Sequence, residues 1–388
     1  MVTAIRAQWL FDGTGAHRGD GWTVLVEGQR ITAVGESASV AMLPSTDVID
    51  LGNATLLPGL IDAHTHLASS YTTPPAAGNT PVGMALHSAA NILRDLGHGV
   101  TALRCMGDPD FMDAEFKSAQ QIGGLLGPDL VVSTRGLQAS NGTMSTQFAV
   151  SADGPDEIRK VVRENLRRGA DVIKLFVSGG IKTAQASTCF YSVEEIRAAV
   201  DEAHRFGKPV GAHAYGGGDA IRNCIDGGVD MIEHGALISR DEVGELIDKG
   251  IWIVVSINVY RTLSRLGGLP ASLLERIEQS LQDALRSGVR FAVATDGMHG
   301  SLSEDIIAIH EWGIPATDVL LGATSQAAEV CGLADRSGKI APGNMAHLIG
   351  VHGNLPGDLP KLRAPIFVMH AGRDLTRLAQ MIDQNTTA

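Results

Sequence analysis

Short apolar runs recur along this chain in two distinct rhythms. Over residues 1–57, runs such as Thr23-Val-Leu-Val-Glu27, Arg30-Ile-Thr-Ala-Val34 and Asp47-Val-Ile-Asp50 are separated by Gly, Asp and Asn turns, the pattern of a small antiparallel sheet. From residue 58 the rhythm becomes an apolar run followed by a helical pattern, repeated. The runs fall at 59–66, 100–106, 129–136, 171–177, 209–214, 230–236, 251–257 and 290–296. Over 193–206, Val193, Ile196, Ala199, Val200 and Ala203 share one helical face and Gly207 ends the pattern. Eight strand-plus-connection units predict an α/β fold, a (β/α)8 TIM barrel whose active site forms at the C-terminal ends of its strands. Beyond about residue 335, Gly338-Lys-Ile-Ala-Pro-Gly343, His347-Leu-Ile-Gly-Val351 and Ile366-Phe-Val-Met369 restore a β-rich character. Both chain ends, 1–57 and 336–388, are therefore expected to form one small β-sandwich domain beside a barrel at 58–335.

Composition narrows the function classes. With 388 residues, 44% hydrophobic and 19% charged, the chain is an ordinary globular protein, large enough for a barrel and an appendage. A net charge of −12 argues against a nucleic-acid footprint. No run approaches the ~18 apolar residues of a membrane span, and the N-terminus lacks a secretory signal pattern. Cys105, Cys189, Cys224 and Cys331 are widely spaced with no Cys-x-x-Cys pair, which fits reduced thiols and a cytoplasmic location. Gly13-Thr-Gly15 and Gly216-Gly-Gly218 lack phosphate-loop spacing.

Placed on the predicted strands, the polar residues converge. His64 and His66 are two apart, so on one strand they project to the same face, as a metal site requires. The fourth strand carries Lys174 inside Val172-Ile-Lys-Leu-Phe-Val177, the fifth ends in His213, the sixth in His234 and the eighth in Asp296. Each has a bland reading when taken alone: a snorkelling lysine, satisfied core histidines, a turn-capping aspartate. Six such residues at strand C-termini favour a shared site. Tyr215 follows His213, Arg104 and Arg135 end the second and third strands, and His299 follows Asp296. Tyr215, Arg104 and His299, with Asn141 in the loop after the third strand, are the candidate substrate contacts, against packing or ion-pair alternatives.

These residues resemble the amidohydrolase superfamily, whose signature reads here as Pro58-Gly-Leu-Ile-Asp-Ala-His-Thr-His66, Lys174, His213, His234 and Thr295-Asp-Gly297. The lysine on the fourth strand marks the branch with two metals. The resemblance implies that His64, His66 and Asp296 hold one divalent ion, zinc, and that His213 and His234 hold the other. Lys174, carbamylated by CO2, would bridge the two together with a hydroxide. The chemistry is consistent: a buried lysine has a depressed pKa and is partly a neutral amine, which adds to CO2. A water shared by two cations loses a proton near neutrality, and Asp296 can pass that proton to a leaving group.

Asp171-Val-Ile-Lys-Leu-Phe-Val-Ser-Gly-Gly180, Tyr191-Ser-Val-Glu-Glu-Ile196 and Gly211-Ala-His-Ala-Tyr215 are similar to the metal-dependent dipeptidases and acyl-amino-acid hydrolases related to prolidase and ochratoxinase. That likeness implies a substrate-binding role for Tyr215 and a homo-oligomeric protein. Where those relatives have a Gly-Gly-His-Gly stretch after the third strand, this chain reads Gln138-Ala-Ser-Asn-Gly-Thr143. The expected reaction is cleavage of an amide bond in a small molecule: a dipeptide, an N-acyl amino acid or a related amide. The alternatives are a deaminase or cyclic-amide hydrolase on the same barrel, or a lactonase or organophosphate hydrolase. The deaminase branch has a glutamate shortly after the fifth-strand histidine, and His213-Ala-Tyr-Gly-Gly-Gly218 offers none.

Overall fold

Eight parallel strands stand where the apolar runs fall: β1 (Leu60–Thr65), β2 (Val100–Cys105), β3 (Asp129–Val132), β4 (Ile173–Phe176), β5 (Val210–Ala214), β6 (Met231–His234), β7 (Trp252–Val255) and β8 (Phe291–Val293). The structure, a computed structural model, describes residues 2–69, 80–144, 147–183 and 186–386, with side chains to Ile382. Strands β1 to β3 form one sheet in the order β3-β2-β1. Strands β4 to β8 follow one another in a second sheet, extended beyond β4 by Gly136–Gln138 and Ala149–Ser151. Backbone hydrogen bonds link the two sheets at both edges: Asp171 N–H donates to Val132 O at 2.7 Å, and Asp296 N–H to His64 O at 2.9 Å. Every residue of these strands is buried except the half-buried Asp129.

Local chemistry sets the helices between them. Ser192 and Ser239 form reciprocal capping boxes with Glu195 and Glu242, starting Val193–His204 and Arg240–Lys249. The first of these helices buries Ile196, Ala199, Val200 and Ala203, the face the sequence pattern predicts. Two predicted strands end early for visible reasons. The run at 129–136 bends at Thr134, whose φ is 63°, and resumes at Gly136, where a Cβ would lie 2.3 Å from the Phe176 ring. The run at 251–257 stops at Val255 because Asp305 Oδ1 accepts the N–H groups of Ile257 (2.7 Å) and Asn258 (2.8 Å), turning the chain into the helix Asn258–Arg265.

The chain ends meet in two sheets. Arg30–Glu36, Trp22–Glu27, Val2–Ala7 and Asp47–Asp50 form one. In the other, Leu348–His352 from the C-terminal part runs antiparallel to Ala54–Pro58 from the N-terminal part. The N-terminal segment is not purely antiparallel as expected: Val2–Ala7 pairs in parallel with Asp47–Asp50, and Trp9–Phe11 with Ala54–Pro58. Residues 338–343 form a turn rather than a strand, with φ of 83° at Gly338 and 93° at Gly343 on either side of Pro342. Ile5, Val24, Leu56, Leu348, Phe367 and Met369 share one apolar cluster drawn from both sheets. Among the described residues no helix is long and apolar enough to cross a membrane.

Leu348 is fully buried in that shared cluster, whereas Leu43 is 68% exposed. Leu348→Ala should cost about 2–5 kcal/mol of stability by cavity formation, and Leu43→Ala no more than about 0.5 kcal/mol. Equal denaturation midpoints for the two variants would show that the chain ends do not depend on a common core.

Candidate metal centre

The histidine pair at the end of β1 supplies the first part of the centre. His64 and His66 Nε2 lie 3.4 Å apart, and each is 3.5 Å from Asp296 Oδ1. Asp296 reaches them from beyond β8 through a left-handed backbone, φ 55°. Asp62 fixes this junction: Oδ1 accepts the N–H groups of His64 and Thr295, both at 3.1 Å, and Oδ2 accepts the Thr295 hydroxyl at 2.5 Å. His234, the last residue of β6, also has a left-handed backbone, φ 70°. That twist breaks the in-out alternation of the strand, so the consecutive Glu233 and His234 both face the centre. The His234 ring centroid lies 4.8 Å from that of His64 and 4.9 Å from that of His213 on β5. Lys174 on β4 is fully buried, and its Nζ has no hydrogen-bond partner among the described residues.

Hydrogen bonds decide which ring nitrogens carry lone pairs. Nδ1 of His64 meets Glu233 Oε2 at 2.6 Å, and Nδ1 of His66 meets Gly107 O at 2.6 Å. A carboxylate and a carbonyl only accept, so both Nδ1 atoms are protonated, and in the neutral ring Nε2 carries the lone pair. His234 Nδ1 bonds Ser256 Oγ at 2.9 Å. His213 uses the opposite nitrogen, Nε2, toward Gly179 O at 3.3 Å, which leaves the lone pair on Nδ1. Burial foremost, with Lys174 and neighbouring histidines, holds His64 and His213 well below the ordinary imidazole range. Burial carries His234 down to about 4 against the attraction of Asp296. For Asp296 burial pushes upward, but His234, His66 and Lys174 together hold the carboxyl at about 2. Burial lowers Lys174 to about 8, against the pull of Glu233 and Asp296. The set thus comprises imidazoles, of which burial keeps those of His64, His213 and His234 neutral, one carboxylate and one partly neutral amine, donors suited to divalent cations.

Asp129, His347 and His370 also come together, with Asp129 Oδ1 3.1 Å from His370 Nε2 and Oδ2 3.6 Å from His347 Nε2. Ala371 N–H donates to His347 Nδ1 at 3.2 Å. A neutral His347 ring therefore carries its proton on Nε2 and has no lone pair left for a metal. This group braces the start of β3 against the C-terminal sheet.

A cavity of about 350 Å³ opens over Asp296, His66, His213 and His234, with Met144, Phe148, Ile181, Val259 and Leu263 in its walls. Tyr215 lines it, as expected, and so does Tyr260, which the sequence reading did not single out. Three candidate substrate contacts lie elsewhere. Arg104 is fully buried and outside the cavity wall. Its side chain on β2 turns into the interior, where one terminal nitrogen donates to both Glu233 oxygens at 2.8 and 2.9 Å and Nε donates to Ala63 O at 2.5 Å. His299 is held behind β1 by Asp95, with Nδ1 to Oδ2 at 2.7 Å, and its Nε2 lies 3.2 Å from His66 O. Asn141 is exposed and does not line the cavity. Arg135 is half-buried and pairs with Glu164 at 3.3 Å. Glu233 was missed because strict alternation assigns it to the face opposite His234.

Residues 55–378 match the Amidohydrolase family. The chain belongs to that family and is a hydrolase of carbon–nitrogen bonds. It is 27% identical over 355 residues to the ochratoxinase of Aspergillus niger, covering 81% of this chain and 74% of that protein. Among solved structures, a Xaa-Pro dipeptidase with bound methionine in its active site is similar at a TM-score of 0.87 and 25% identity, over 96% of this chain and 99% of the other. A prolidase complexed with N-methylphosphonate-L-proline is similar at 0.85 and 26% identity, over 96% and 99% of the two chains.

The buried Arg104–Glu233–His64 chain predicts an effect on metal affinity. Glu233→Gln removes the charge that holds the His64 Nδ1–H and should weaken binding about ten- to a hundredfold, measured by chelator competition. A folded Glu233→Gln protein with wild-type affinity would show that His64 is oriented by other means.

Proposed function

We propose that this chain cleaves the amide bond of a small substrate, a dipeptide, an N-acyl amino acid or a related amide, with two divalent ions, zinc by preference, held on the cavity floor. The observation that carries this reading is the Lys174 amine, fully buried and without a hydrogen-bond partner among the described residues. A buried polar atom in that state is costly unless a further group engages it. With its pKa lowered to about 8, roughly a tenth of the side chain is neutral amine at pH 7. The neutral nitrogen adds to the carbon of CO2, an N–C bond forms and the displaced proton leaves to solvent. The resulting carbamate carries one negative charge shared by two oxygens, either of which would serve as a metal ligand. His64, His66 and Asp296 would hold one ion and His213 and His234 the other, with carbamylated Lys174 between them.

When bound, the ions would supply Lewis acidity toward the scissile carbonyl and acidify a water for attack. Asp296 is ionised at neutral pH, with its carboxyl at about 2, and its Oδ1 faces His64 and His66. The carboxylate can therefore take the proton of the attacking water and deliver it to the leaving nitrogen. Tyr215 borders the same floor and offers its hydroxyl to the substrate carbonyl or carboxylate. The apolar walls accommodate uncharged side groups. The peptide-cleaving names among the similar structures, a Xaa-Pro dipeptidase and a prolidase, support this choice of bond.

We also read β1 to β8 as a closed (β/α)8 barrel over residues 58–335, with 1–57 and 336–388 as a β-sandwich, because of the two cross-sheet hydrogen bonds and the shared apolar cluster. Four free cysteines fit the reducing cytoplasm.

The direct test is the zinc-loaded protein screened against dipeptides, N-acyl amino acids, lactones and aminated heterocycles, with products followed by mass. Amides should turn over fastest, and turnover of lactones or aminated heterocycles alone would contradict the reading. Metal analysis should give about two ions per chain, because six convergent ligands exceed the needs of one tetrahedral ion. Lys174→Ala should lose most activity and much of the second metal. Asp296→Asn should keep fold and most metal but lose about a hundredfold or more in kcat.

The Lys174 value also fixes the sign of a pH effect on assembly. Below about 8 the amine is mostly ammonium, which does not react with CO2, so at constant dissolved CO2 the reconstitution of metal-stripped protein should slow about tenfold per pH unit below that point. Recovery of activity at equal rates at pH 6.5 and 8.5, with dissolved CO2 held equal, would contradict a carbamate requirement.

A further inference from the structure

We infer that Tyr260 is a positioning residue that aims the Tyr215 proton into the cavity. The inference rests on the reading of that cavity as an amide-hydrolysing site. The two tyrosines come from different parts of the fold: Tyr215 follows β5, and Tyr260 lies on the helix Asn258–Arg265 after β7. Both are almost fully buried, at 3% and 2% exposure, and both line the cavity. The Tyr260 hydroxyl donates to the Tyr215 oxygen at 3.1 Å.

A phenol has one proton to give and lone pairs to receive. Its O–H lies near the ring plane in one of two orientations. The proton arriving from Tyr260 occupies one side of the Tyr215 oxygen, so the Tyr215 hydrogen must take the other. No hydrogen bond from the Tyr215 hydroxyl to a described residue competes for it. Its direction is therefore set toward the open cavity, where a substrate oxygen would accept it. Receiving a hydrogen bond also polarises the phenol and makes it the stronger donor.

The surroundings hold both rings in place. Tyr215 packs edge-on against His213 with centroids 4.6 Å apart, and its backbone N–H donates to Ser178 Oγ at 3.2 Å. Tyr260 is fixed through Asp305, which accepts the N–H groups that open its helix. The Tyr260 ring also lies 6.4 Å from that of His234, at 76° to it. A donor aimed before substrate arrives stabilises developing negative charge without reorganising during the reaction.

The test is a double-mutant cycle on the best amide found in the screen. Tyr215→Phe should lower kcat about a hundredfold, as loss of an oxyanion donor does. Tyr260→Phe should lower it about tenfold, and the double variant should be no slower than Tyr215→Phe, because Tyr260 acts only through the hydroxyl that change removes. Equal losses from Tyr260→Phe in both backgrounds, or a wild-type kcat in Tyr260→Phe, would overturn the inference and return Tyr260 to packing. A second readout does not depend on turnover. With ring-labelled tyrosine, the infrared C–O stretch of Tyr215, identified by its loss in Tyr215→Phe, should shift in Tyr260→Phe, and an unmoved band overturns the contact. A protein that cleaves no amide in the screen defeats the proposed function, whereas an unmoved band alongside amide turnover defeats only the role of Tyr260.

Discussion

The Lys174 amine is buried without a hydrogen-bond acceptor among the described residues, and the rest of the centre is arranged around that constraint. An ammonium there would face His64, His213 and His234, whose own charged forms are disfavoured chiefly by burial, with Lys174 adding to it in each case. The interior meets this by keeping the imidazoles neutral and by admitting little uncompensated charge. Glu233 lies beside the site but is matched by Arg104 in a fully buried pair. Such a pair is poor evidence for stability, since its desolvation offsets much of its attraction. Its value here is geometric: it holds a carboxylate against His64 Nδ1 and so leaves Nε2 toward His66 and Asp296.

Geometry carries the same constraint through the fold. Parallel strands buried along their length bring side chains far apart in sequence to one end of the sheet, but strict alternation would send half of them outward. Left-handed backbones at His234 and Asp296 overcome this at the two strand ends where it matters. Gly211 supplies the space for Glu233, because a Cβ there would lie 2.4 Å from Glu233 Oε1. Asp62 joins the backbones of His64 and Thr295 across the edge between β1 and β8, and burial raises its carboxyl to about 7. These features cost stability and are tolerated where they position ligands.

Much of this was legible in the sequence. The eight strand positions, the helix Val193–His204 and the gathering of His64, His66, Lys174, His213, His234 and Asp296 follow from apolar periodicity and from where polar residues interrupt it. The misses share one cause: periodicity places a residue on a face and says nothing of its depth. Arg104 read as a strand-end cation facing substrate, but its long side chain points into the interior to Glu233. His299 follows Asp296 in sequence yet is captured by Asp95 behind β1. Tyr260 lies beyond a strand whose end is set by Asp305, a contact across 48 positions that no local pattern reveals. Gly338 and Gly343 carry the apolar spacing of a strand but adopt turn conformations.

The proposed chemistry requires a carbamate at Lys174, and one measurement addresses it directly. Protein stripped of metal and reloaded with zinc in 13C-bicarbonate should show a single protein-bound carbamate carbon by NMR, retained after removal of free bicarbonate and absent from Lys174→Ala prepared in the same way. Fully metal-loaded, active protein with no such resonance would contradict the account.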